Sequence, residues 1–228
     1  ANNDLEKAKF DLENLKRNNN QTKIWFQSST KNIILSLSKS TSDIILSADK
    51  LLWVTNEYKN QNDDFEIYLW AKNSSLKNNA EWELLKLISL KKEIETLKNT
   101  EITESNLLEI LQKTYDYHIT FENFIVLIKD VLNNSITTTT FTQATIDWQN
   151  ATFGWYQSVI QWNLSGLTTL KTQIEAFFAS YKNSELSVEK SIEIATKQIE
   201  ILKKDLQTAQ DNAKRSLSKT EIAVNSNL

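Results

Sequence analysis

With 228 residues, 40% hydrophobic and 24% charged, the chain is long and apolar enough to fold around a core, which excludes a disordered polymer. Two glycines and no proline exclude a fold of many tight turns, because those residues supply positive φ and pre-set turn geometry; long helices with polar connections remain. A net charge of −3 with no basic block excludes a nucleic-acid footprint, and the lack of cysteine excludes disulfides and thiolate chemistry.

The first element is a short seam, Leu5, Ala8, Leu12 and Leu15, which predicts a helix over about 4–18. The run Asn18-Asn19-Asn20 reads as a break. Beyond it Leu37, Ile44, Leu51 and Tyr58 recur every seven residues, with Ile33, Ile34 and Ala48 beside them, and predict one helix from about Thr22 to Asn60. The polar stretch Asn60 to Asp64 reads as a second break or a surface turn, followed by a helix with Ile67, Leu69 and Trp70.

Asn78 with Glu81 three residues later resembles a capping box and predicts the start of a helix carrying Leu84, Leu87, Ile88, Ile94 and Leu97. After the polar connection Asn99 to Asn106, the next helix holds Leu107, Leu111, Phe121, Ile125, Ile128 and Leu132.

The stretch 131–170 departs from the rest: Asp147 is its single charge. It opens on Asn133, Asn134 and the β-branched run Thr137 to Thr140, which is poor for helix. Trp148, Trp155 and Trp162 follow at intervals of seven and share one helix face. One reading puts them in the bundle core, the ordinary place for aromatic rows at helical spacing, with Gly154 and Gly166 admitting bulky partners. The other makes the segment a charge-poor tip that meets a partner or a membrane interface, since Trp and Tyr favour such half-wet places. In that reading Trp148, Trp155, Trp162, Phe141 and Tyr156 are the candidate partner-binding residues.

At the C-terminal end Val188, Ile192, Ala195, Ile199, Leu202, Leu206, Ala209 and Ala213 form an a/d seam, predicting a helix over about 185–220 packed along a partner. The two terminal helices are candidates for a stalk, and the seam is a candidate for self-association.

The catalytic inventory is thin. His118 is the single histidine, so zinc sites and histidine triads cannot be assembled within one chain. It reads as a satisfied or exposed residue. Asp63 and Asp64 lack the remaining ligand pattern of a calcium loop, and two glycines twelve residues apart cannot build a phosphate loop. No enzyme, no cofactor and no metal are therefore expected.

These observations predict a single all-α domain over 1–228, an elongated bundle of about five to six long antiparallel helices with coiled-coil-like packing. The expected function is a non-enzymatic secreted or cell-surface protein of adhesin or surface-antigen type, binding a host or partner macromolecule. The surface location rests on a chain that starts at Ala1 without methionine, and the Lys- and Asn-rich composition suggests a low-GC organism. The alternatives are a membrane-active toxin component of pore-forming type, which would also carry a low-charge stretch in a long-helix bundle, and an intracellular coiled-coil scaffold.

Overall fold

The computed structural model describes residues 2–55, 66–69 and 72–225. Every regular element among them is helical: α1 (Asn2–Leu52), the single turn α2 (Glu66–Leu69), α3 (Ser74–Asn99), α4 (Leu107–Asn133) and α5 (Gln143–Asn225). The chain is all-α, but four long helices and one turn replace the expected five to six. Two expected boundaries vanish. Asn18 to Asn20 lies inside the 51-residue α1, and the helix expected to begin near residue 185 is the continuation of the 83-residue α5. Asparagine costs a helix only tenths of a kcal/mol per residue. Once a helix is nucleated, each further residue adds a bond, and neither stretch holds the proline or glycine that would stop it.

Helix α1 ends eight residues before the expected Asn60, and local chemistry explains why. Trp53 adopts φ 61°, the left-handed conformation that closes helices, and its N–H donates to the Asp49 carbonyl at 2.7 Å. The buried Asp49 carboxylate then accepts from the Val54 N–H at 3.1 Å, the Thr55 N–H at 2.8 Å and the Thr55 hydroxyl. The expectations for Tyr58, for the Asn60 to Asp64 turn and for Trp70 lie outside the described residues.

The start of α3 is also corrected. Asn73, not Asn78, is the N-cap: its side-chain oxygen accepts from the Leu76 N–H at 3.4 Å and from the Ser75 hydroxyl at 2.6 Å. Between α4 and α5 the Thr run stays out of the helix. The Thr138 N–H donates to the Phe141 carbonyl at 2.8 Å, and the Phe141 N–H donates back to the Thr138 hydroxyl at 2.9 Å. The turn buries Phe141 completely, with its ring stacked on Tyr68 at 6.4 Å.

The chain divides into two compact units, Lys23–Ile174 and the paired terminal segments Ala1–Thr22 and Glu175–Leu228. The first is an antiparallel four-helix bundle. Tyr117 of α4 donates to Glu93 of α3 at 3.2 Å, Ser38 of α1 donates to Glu95 of α3, and Ser47 of α1 meets Tyr156 of α5 at 3.0 Å. Lys129 and Glu122 of α4 bond Gln157 and Gln161 of α5 at 3.0 and 2.8 Å. With Lys31 donating to the Lys98 carbonyl and Asn163 to Ser36, partners rise in number on one helix as they fall on the other for α1 with α3, α1 with α5 and α4 with α5. All four long helices feed one core that includes Leu37, Ile44, Leu84, Leu87, Phe121, Ile125, Phe153 and Ile160.

In the second unit Ala8 and Ala195 are buried, and Leu5, Leu12, Leu15, Val188, Ile192 and Ile199 are half-buried. The expected C-terminal seam is covered only this far. Leu202 and Leu206 are 56% and 60% exposed, and every side chain from Glu200 to Lys219 faces solvent.

Candidate functional site: an exposed tryptophan face

Helix α5 carries two rows at seven-residue spacing. Phe153, Ile160, Leu167 and Ile174 are all buried, and this row faces the bundle core. Trp148, Trp155 and Trp162 form the other row, about 140–160° away around the helix at ~100° per residue, and they are 65%, 62% and 78% exposed. The expectation that the tryptophans fill the core is overturned. The core-facing positions were already taken by the first row, and two rows that far apart on one helix cannot both face inward.

The two glycines take no bulky partner either. A Cβ at Gly154 or Gly166 would meet nothing within 4 Å. Two expected partner-binding residues also leave the list. Phe141 is fully buried, and Tyr156 is 9% exposed with its hydroxyl tied to Ser47. The candidate surface reduces to the three tryptophans.

One further residue joins them that the sequence did not single out. Trp25 of α1 is 53% exposed and borders, with Trp162, a groove of about 350 Å³ between α1 and α5. Ser29, Ile33, Gly166, Thr169 and Gln173 also line it. The signal was present: Ile24 to Thr30 is a charge-free, aromatic-bearing stretch in an otherwise charged N-terminal region. The polar side chains interspersed with the tryptophans in sequence turn elsewhere. Gln157 and Gln161 face α4, and Asn163 is buried and donates to the Ser36 hydroxyl at 3.2 Å.

The face is electrostatically neutral. On α5 no Asp, Glu, Lys, Arg or His lies between Asp147 and Lys171, and on α1 none lies between Lys23 and Lys31. Between the tryptophans the helix presents Ala151, Thr152 and Val159, and just beyond them Gly166. The arrangement can stack flat apolar surface and offer hydroxyls.

His118, the single histidine, is buried in the bundle and not exposed. Its Nδ1–H donates to the Thr114 carbonyl at 2.7 Å, while Nε2 finds no partner among the described residues. Burial pushes its pKa down from 6.5 to about 4, against the smaller upward pull of the Thr114 carbonyl. Among the described residues no cluster of three or more His, Asp or Glu could hold a metal, and no helix is long and apolar enough to cross a membrane. No protein-family model matches the chain, and no curated protein or solved structure matches it.

Proposed function

We propose that the protein is a non-enzymatic secreted or cell-surface helical bundle that binds a host or partner macromolecule through the Trp148, Trp155 and Trp162 face of α5. One observation carries this reading: three large indoles are held in solvent in line, on a helix whose core row is complete without them. Leaving that much apolar surface wet forgoes on the order of 1.5–3 kcal/mol per side chain relative to burial, and large apolar side chains gathered on one exposed face mark interaction sites.

The test presents labelled protein to three immobilised probes: extracellular-matrix proteins, neutral and charged glycans, and phospholipid vesicles. Saturable binding to at least one probe is expected, with a loss of about tenfold or more in the triple variant W148A/W155A/W162A while its helical circular dichroism is unchanged. Binding to none of the probes, or binding that survives in the triple variant, overturns the reading. Dye release from the vesicles would instead favour the pore-forming alternative.

A second reading, self-association, is favoured by the exposed leucines of the C-terminal seam. Leu202 and Leu206 continue the register of the buried Ala195, yet remain in solvent. Sedimentation velocity over a hundredfold range of concentration tests it. A rise in mass that is abolished by L202Q/L206Q supports it, and a constant monomer mass overturns it.

A further inference from the structure

We infer that the ligand of the tryptophan face is a neutral, extended β-1,4-linked glycan, lying along α5 and ending in the groove between Trp162 and Trp25. This inference rests on the binding reading above and adds the chemistry of what is bound.

Charge decides the first step. A phosphate, sulfate or carboxylate would have to leave water for a surface without a counter-ion and lose solvation. A basic segment would gain from the indole faces, but α5 offers it no carboxylate between Asp147 and Glu175 to offset its own desolvation. The partner is therefore uncharged where it touches the row.

Shape decides the second. An indole offers a broad flat face with negative π density, which favours the slightly positive C–H face of a sugar ring. Successive tryptophans lie seven residues apart, about 10.5 Å along the helix at 1.5 Å per residue. That rise is close to the length of one disaccharide in an extended β-1,4 chain, where every second ring turns the same face toward a flat surface. The row also drifts by only about 20° per heptad, a twist that such a chain accommodates. Small residues between the indoles let a ribbon approach without collision.

The groove completes the site. Trp25 and Trp162 border a space of about 350 Å³, and Ser29, Thr169 and Gln173 place hydroxyl and amide groups around it. These are neutral hydrogen-bonding groups of the kind that sugar hydroxyls satisfy, and Gly166 keeps the wall free of side-chain bulk.

A bilayer surface suits the face less well. An interfacial helix sets a continuous apolar stripe against lysines or arginines on its polar side. Here Thr152 and Ser158 fall between the indoles, Ser165 and Thr169 follow them, and no basic residue occurs on α5 before Lys171.

The experiment is a tryptophan-fluorescence titration of the full chain with hexasaccharides of β-1,4-linked N-acetylglucosamine and of β-1,4-linked glucose. Parallel arms use the matching disaccharides, an α-1,4-linked glucose hexamer and phosphatidylcholine vesicles. At least one β-1,4 hexamer is expected to shift the emission saturably, about tenfold more tightly than its disaccharide because three stacking sites act together. W155A should weaken hexamer binding about tenfold. G166L, whose Cβ would meet nothing within 4 Å, should weaken it at the groove end while the helical circular dichroism is unchanged.

Equal binding of the α-linked hexamer, or hexamer binding unaffected by W155A, overturns the assignment. If vesicles or matrix proteins bind in a tryptophan-dependent way while no hexamer does, the glycan falls and the binding reading stands. If no probe binds at the tryptophans, both fall.

Discussion

Trp25 of α1 and Trp162 of α5, 137 positions apart in sequence, line the same groove, and both are more than half exposed. The bundle brings them together because α1 and α5 are antiparallel neighbours, fixed by Ser47 with Tyr156 and by Asn163 with Ser36. The pairing joins a row read along one helix to a residue on another and turns a stripe into a site.

Replacing Trp148 or Trp162 by alanine should change stability by no more than about 0.5 kcal/mol each, as for surface residues; Trp155→Ala also loses an edge-on ring contact with Tyr156 at 5.2 Å and should cost up to about 1 kcal/mol. Phe153→Ala, on the neighbouring row of the same helix, should cost about 3–5 kcal/mol through the cavity it opens. Urea unfolding followed by circular dichroism separates the two. Costs of similar size in both rows would place the tryptophans in the core after all.

Acid should weaken the fold through His118. Its folded pKa of about 4 lies below the ordinary 6.5, so the unfolded chain binds more protons between those values. Stability is then full above pH 6.5, falls as pH drops towards 4, and flattens below. At 1.36 kcal/mol per pKa unit, the total loss is on the order of 3 kcal/mol. His118→Leu should remove that part of the slope. Stability against pH for the two proteins checks it, and parallel curves would place the titration elsewhere.

Asp49 should be worth more to the end of α1 than any other polar residue there. Asp49→Ala strands the Val54 and Thr55 amides and should cost about 1–3 kcal/mol. Asp49→Asn keeps an oxygen acceptor and should recover a good part of it. Equal losses in both variants would mean that the carboxylate's charge, and not its acceptor geometry, holds the turn.

The C-terminal seam should be graded along its length. Ala195→Gln forces a long polar side chain into a buried position and should cost about 1–3 kcal/mol. Leu206→Gln, at a 60% exposed position, should change monomer stability by less than about 0.5 kcal/mol. Thermal melts at low protein concentration distinguish them, and a large loss at Leu206 would reveal an intramolecular cover for that part of the seam.

The helical class was legible from composition, since almost no glycine and no proline leave few other ways to arrange the backbone. The breaks were less so. Asn18 to Asn20 and the polar stretch near residue 185 resemble loops in composition, but polarity alone does not end a helix. Asp49 ends one by a carboxylate that reaches forward to Val54 and Thr55, a geometry that no local pattern announces.

Period seven fixed by itself that Trp148, Trp155 and Trp162 share a face, and that the face carries no charge. It could not fix which way the face turns. Phe153, Ile160, Leu167 and Ile174 repeat with the same period on the far side of the wheel, and one helix read alone gives both rows equal standing. Only the packing of α1 and α4 against α5 broke the tie, because neighbours that cover one side of a helix leave the other in water. The same reason separates Ala195 from Leu206. Both belong to one seam in sequence, and burial requires a helix across from it, which the structure supplies to the first and not to the second.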